Sequence, residues 1–579
     1  MCYQRFSAKL RTIICSLSVS RLAAAVFVVF VAGNMLFSLG QRRQSTTGHS
    51  SAETINRVEK TSMETAVALV ESGNLIEAEA TIRNLLNINP GSSDAHSLLG
   101  VVLDQRGLQS DAEREFEMAL RLKPGSVTAL SNYGVLLART NRPAEAIQKF
   151  EGVLRLQPTH TQAAYNLGTL YAASGDYKRA VTLLERAAGI TANGRLPTAT
   201  DSRLLLTLVN AYGHVGQRQN AIAMAQTVEK STKDPKVLFT LALSMAEVHE
   251  YAEAVRLFQR TDQLRPNTSE VLYNLGLALY NLDRYAEASA ALSTALDISP
   301  NDPQILYRLG LVASAQGDSK AALAYWFKAI KLRPAFAEAH FMVGEELLKN
   351  KLPERSIPFY ERAVDLDQQK LVYQLRFGVA NVRAQRYDQA RKIFSRALEQ
   401  FPNNANLYFL LGYAGRAEGQ YDSAIAAFHE VLRLEPNNSD ALGNLGYIAS
   451  QRGQHQDAMK LLRRAIELDP KSYPAHHDLG RLLVKLKKYD EAISVLKRGA
   501  ELNKQDAGIH YQLFLAYSRL GRKEDADREL SIFREFEEAN KHIATPLGTT
   551  VRTGSANQAE LLPPLPVNAS GETGKPNHP

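Results

Sequence analysis

Residues 440–470 read DALGNLGYIASQRGQHQDAMKLLRRAIELDP. Apolar residues recur in them at three- and four-residue spacings in two blocks, divided by Arg452-Gly453-Gln454 and closed by Pro470. That pattern predicts two amphipathic helices joined by a tight turn. It returns along most of the chain. Counting from Glu59 gives fourteen windows, and eleven of the thirteen steps between them are 34 residues. Ala fills one fixed position, the twentieth, from Ala78 to Ala526, and only Ser356 breaks the row. A self-similar period of this length marks a solenoid. It points to a protein that holds something rather than one that does chemistry.

Other positions are equally regular. Gly stands twelve residues before the Ala position in ten windows, among them Gly134, Gly310 and Gly446. A bulky residue stands four after it, as Phe116, Phe150, Phe258, Trp326, Phe394 and Phe428 do. Gly and Ala where two helices meet let the backbones approach, and the large residue fills the gap beside them. Pro near the window end, as at 124, 158, 334 and 470, cannot continue a helix and stops the second one. Together with residues 163–187, AAYNLGTLYAASGDYKRAVTLLERA, these positions resemble the tetratricopeptide repeat over roughly residues 59 to 540. The resemblance implies an all-α, right-handed superhelical solenoid of about fourteen helix–turn–helix repeats. It also implies a concave face, lined by the first helices, that binds extended peptides.

The ends differ from the repeats. A basic segment, 1–21, precedes the uncharged run 22–40, LAAAVFVVFVAGNMLFSLG, which is long enough for a membrane-spanning signal-anchor and also fits a signal peptide. The anchor is the favoured reading, with the repeats exported to a periplasm; secretion after cleavage is the alternative. A linker, 41–58, leads to repeats one to four at 59–191. An insert, 192–201, lengthens one step to 41 residues and reads as a loop or a joint. Repeats five to fourteen fill 202–541 and end in a long charged capping helix. The tail 542–579, rich in Pro, Gly and Asn, reads as disordered, with Leu562-Pro563-Pro564-Leu565-Pro566 as a spacer or a polyproline ligand.

The net charge of +8 is mostly a leader effect, because residues 1–60 hold eight Lys and Arg against two Asp and Glu. A nearly neutral solenoid argues against nucleic acid as a partner. Both cysteines, Cys2 and Cys15, lie in the leader, which removes disulfides and thiolate metal sites from the repeats. No phosphate-binding loop, dinucleotide fingerprint or catalytic motif appears, so no enzyme activity, cofactor, metal or small-molecule substrate is expected. His476-His477-Asp478 is the one cluster that suggests a metal. Adjacent helical residues point about 100° apart, however, and His96, His340 and His510 share the position of His476, so it reads as a packing residue.

The candidate surface is the inner face of the first helices. Window positions two, six, nine and thirteen point away from the core, and position five flanks them. Position five carries Tyr165, Phe239, Tyr273, Tyr307, Phe341, Phe409 and Tyr511, and four of these, Phe239 to Phe341, fall in consecutive windows. They read as an aromatic stripe or as packing between neighbouring helices. Position six carries Asn132, Asn166, Asn274 and Asn444, with Arg308 and Arg376 between the last two. An Asn amide can donate to and accept from a peptide backbone at once, and rings add contact area at low entropy cost. The Asn series is similar to the repeat domain of O-GlcNAc transferases, although no room remains for their catalytic region. No window has Lys at position five, so the family's carboxylate clamp is not expected.

The expected function is a non-catalytic scaffold that binds extended protein segments and assembles envelope complexes. A substrate-presenting or adaptor subunit of a separate glycosyltransferase or protease is the alternative, and homotypic stacking is a third reading.

Overall fold

The computed structural model describes residues 50–190 and 201–543, with side chains described for 59–190 and 201–538. Among the described residues there are 28 helices in consecutive pairs and no strand. The chain divides into two compact units, Met1–Pro300 and Asn301–Pro579. Each contains seven helical pairs. The expected all-α repeat solenoid is what the chain forms.

One repeat shows how the sequence builds the pair. Asn438 precedes the first helix, Ser439–Gln451, and its side chain accepts a hydrogen bond from the Ala441 amide at 2.9 Å. Such a cap satisfies a helix-end donor and fixes where the helix begins. Ser126, Asn404 and Asp506 cap other first helices in the same way. The second helix, His455–Leu468, ends just before Asp469 and Pro470. Between the two helices the chain turns at window position fifteen, and this residue has a positive φ in all fourteen repeats. Eight are Gly; Asn141, His249, Asp283, Lys351, Gln385 and Lys487 fill the other six.

The small-to-large pairing sets how closely the two helices approach. Gly310, on the first helix Pro303–Ala315, faces the fully buried indole of Trp326 on the second helix, Ser319–Leu332. A Cβ placed on Gly310 would lie 2.3 Å from the indole nitrogen. Gly134 and Gly412 meet Phe150 and Phe428 in the same manner. One repeat reverses the sizes, with Val209 at the glycine position and Ala225 at the bulky one, both fully buried. The last helix, Lys523–Ile543, runs 21 residues against 14 for most second helices, and packs on the first helix Ala507–Arg519.

The expectation of a single-pass membrane protein with exported repeats is corrected here. Among the described residues no helix is long and apolar enough to cross a membrane. The apolar run 22–40, the basic segment before it, most of the insert and the Pro-rich tail lie outside the described residues.

Candidate interaction surface

First and second helices occupy different places in each stack. First helices of successive repeats touch one another throughout the first unit and from Leu371 to Arg519 in the second. Second helices do not pair with one another in this way; each lies against first helices. First helices therefore form the tighter, inner row of each unit, and their solvent side is the candidate surface.

In the first unit, Asn132, Tyr165 and Asn166 are half-buried on this row. Gln162 Nε2 donates to Asn166 Oδ1 at 3.1 Å, leaving the Asn amide nitrogen as a donor. Burial pushes the Tyr165 hydroxyl above its ordinary pKa, so it remains a neutral donor. Asn274 is buried and donates to the Glu270 carbonyl of its own helix at 2.8 Å. Phe239 turns toward the second helix of its repeat, its ring 5.8 Å from that of Phe258. Tyr273 is half-buried.

The second unit repeats this division. Tyr307 is buried with its ring 5.1 Å from Phe336, and the Arg308 guanidinium lies over the Tyr307 ring at 5.5 Å. Phe341 sits between Tyr360, at 5.8 Å, and Tyr373, at 4.7 Å. Phe409 is buried against Phe428 at 5.7 Å. Arg376 pairs with Glu345 at 2.6 Å, and the same carboxylate accepts from the Tyr360 hydroxyl. Asn444 donates to the Asp440 carbonyl at 2.8 Å. Tyr511 is 40% exposed and lies 5.2 Å from Phe533 of the last helix. Position five thus supplies mainly packing rings, and the run Phe239 to Phe341 falls two residues to each unit.

Window position nine carries side chains that the sequence reading did not bring into the site. Val135, Thr169, Leu243 and Leu277 are half-buried there in the first unit. In the second unit the same position runs Leu311, Glu345, Val379, Tyr413, Tyr447, Arg481 and Leu515, with Val379 and Tyr413 buried. Tyr413, Tyr447 and Arg481 interrupt a mainly aliphatic row, a signal present in the sequence.

The histidines of position four bond to the protein around them. His476 is buried with Nδ1 2.8 Å from the Ser472 carbonyl oxygen, and His340 Nε2 lies 3.1 Å from the Pro334 carbonyl oxygen. His96 meets Glu115 and His510 meets Glu529, each at 2.6 Å. Among the described residues no group of three or more His, Cys, Asp or Glu side chains is placed to hold a metal ion.

Two family models, both described as tetratricopeptide repeat, match the chain repeatedly. One matches residues 63–127, 110–161, 307–370 and 375–428, the other 136–196, 245–311, 416–479 and 449–513, and together they span well over half its length. The chain belongs to the tetratricopeptide repeat family. No curated protein matches this tetratricopeptide repeat chain. Among solved structures it is similar to YrrB, a repeat protein described as having an unusual peptide-binding site. The identity there is 22%, covering 33% of this chain and 97% of that one, at a TM-score of 0.30. It is also similar to yeast Tom70, at 16% identity over 78% and 99% of the two chains and a TM-score of 0.30. The Cut9–Hcn1 structure of the APC/C matches at 17% identity over 86% and 95%, with a TM-score of 0.34. At such scores these likenesses carry nothing about ligands. Family membership itself supports a protein-interaction scaffold, the ordinary role of tetratricopeptide repeats, which are typically non-catalytic.

Proposed function

We propose that this chain is a non-catalytic scaffold that holds extended segments of other proteins against the inner faces of its first helices. The observation that carries this reading is the half-buried polar and aliphatic row of positions six and nine. Such side chains keep solvent contact while packing fixes where they point, which limits the entropy lost on binding. Asn132, Asn166, Arg308 and Arg376 offer donors, and Val135, Leu243 and Leu277 offer apolar area. Tyr165 and Tyr273 add edges that a peptide can lie against. The buried Asn274, Tyr307 and Phe409 support the row from beneath, with Phe239 and Phe341 packed beside them.

Photo-crosslinking residues placed one at a time at Leu277 and Thr169 on the inner row, and at the exposed Lys328 and Arg464 on second helices, test this. Adducts with partner proteins are expected from the inner positions and not from the outer ones. Equal adducts from the outer positions would remove the inner-face reading.

A further inference from the structure

Three consecutive first helices of the second unit carry a run of cations stacked on tyrosines. These are Ala405–Glu418, Ser439–Gln451 and Tyr473–Lys485. The Arg416 guanidinium lies 5.3 Å over the Tyr413 ring and 4.7 Å over the Tyr447 ring, so it bridges two repeats. Arg481, from the third, also lies over the Tyr447 ring, at 5.3 Å. The order along the row is therefore Tyr413, Arg416, Tyr447, Arg481. Stacking on a ring holds a guanidinium plane in place while leaving its N–H edge available, and that edge suits a carboxylate.

The charges around this run are lopsided. Arg416 has no ion pair among the described residues. Arg383, Lys485 and Arg519, at position thirteen of three first helices in the same unit, are exposed. Against them stand two inner carboxylates. Asp478 is held by Arg481 at 3.3 Å and lies 3.6 Å from His477. Asp440 is pushed above its ordinary pKa by burial and then by the charge of Asp469, which weakens it as a competing anion. Glu418, one turn from the run, is taken by Arg391 on a second helix at 3.1 Å.

Resting on the inner-face reading, we propose that repeats eleven to thirteen bind an extended acidic protein segment. Its carboxylates meet the edges of Arg416 and Arg481, which the tyrosine rings hold in place. With neighbouring helices about 10 Å apart and an extended chain rising about 3.3 Å per residue, three first helices take a segment of roughly eight residues. A nucleic acid would also meet cations and rings. The run is short, however, and the chain beyond residue 60 carries 60 Lys and Arg against 58 Asp and Glu, without the broad basic field that a phosphate backbone requires.

The test uses the full-length chain and fluorescein-labelled peptides of about eight residues. One alternates Glu and Ser, and a neutral counterpart alternates Gln and Ser. Anisotropy is measured with the native chain, with Arg416→Gln plus Arg481→Gln, and with a charge-matched control, Arg464→Gln plus Arg498→Gln, on second helices. The acidic peptide is expected to bind the native chain and the control alike and to lose at least about tenfold in affinity in the inner-row variant, the scale of one charge-assisted hydrogen bond. Circular dichroism keeps loss of fold apart from loss of binding, and Tyr447→Phe, which keeps the ring, is expected to retain binding. If only the neutral peptide binds, the acidic segment is refuted while the inner-face reading stands. If neither peptide binds and the inner crosslinks also fail, both fall. Tighter binding of a single-stranded oligonucleotide of equal charge would overturn the proposal in favour of nucleic acid.

Discussion

Adding one methyl group at Gly310 tests the packing rule of the whole stack. A Cβ there would lie 2.3 Å from Trp326 Nε1 and 2.6 Å from Cδ1, where ordinary contact begins at 3.4 Å. The indole would have to move by on the order of 1 Å, the difference between those spacings. It cannot do so freely, because Trp326 is fully buried and its N–H donates to the Tyr307 carbonyl at 3.1 Å. Overpacking costs about 1–3 kcal/mol, and disturbing that hydrogen bond adds about 1 kcal/mol. Ala instead of Gly in a helix returns about 1 kcal/mol. Gly310→Ala should therefore destabilise its repeat by about 1–3 kcal/mol. Gly443→Ala is the reference, because Gly443 is also helical and has nothing within 4 Å of its Cβ position; it should stabilise by up to about 1 kcal/mol. Trp326 is the only tryptophan in the chain, so urea unfolding followed by its fluorescence reports on this repeat directly. With a slope of about 2 kcal/mol per molar, the midpoint should fall by about 1 M in Gly310→Ala. An unchanged or higher midpoint would refute the close-approach argument.

Two further outcomes follow from buried charge. His510 bonds Glu529 on the last helix at 2.6 Å, and this bond, opposed by burial, holds its pKa above the ordinary value. A raised folded-state pKa stabilises fully below the unfolded value of about 6.5, and the gain is lost as pH rises through the folded value. Amide exchange in the last helical pair should therefore quicken across that window beyond the intrinsic pH effect, and His510→Gln should remove the excess; an identical excess in the variant would refute the linkage. Glu346 is 2% exposed and accepts from Ser314 Oγ at 2.6 Å, from Ser319 Oγ, and from Lys349 Nζ at 3.4 Å. Burial raises its pKa, but these donors outweigh burial and hold it below the ordinary value. Glu346→Ala leaves the hydroxyls unmatched and should cost about 2 kcal/mol by the same fluorescence assay, whereas a change within about 0.5 kcal/mol would contradict it.

The helical pairs were legible because their signals are local and repeated. Gly against a bulky residue, the fixed Ala and a terminal Pro all act within one window. The inner surface was harder to read, because helical phase alone leaves position five on the border between core and solvent. Aromatic side chains there are long enough to reach the second helix, as Phe341 reaches Tyr360 and Phe409 reaches Phe428. Position nine was phased away from the core, yet its run of Tyr413, Tyr447 and Arg481 was passed over in favour of Asn and rings. The apolar run 22–40 led to a membrane assignment that no described helix supports.

The turns give the stack an uneven stiffness. Where position fifteen is Gly, Asn or Asp, the left-handed conformation costs little; at His249, Lys351, Gln385 and Lys487 each side chain carries about 1 kcal/mol of backbone strain. Lys351 and Gln385 fall in adjacent repeats. In a chain whose stability sums over repeats and their neighbours, two strained turns in succession make a compliant stretch. The second unit thus has such a stretch away from the chain ends, so local opening need not begin at a terminus and work inward.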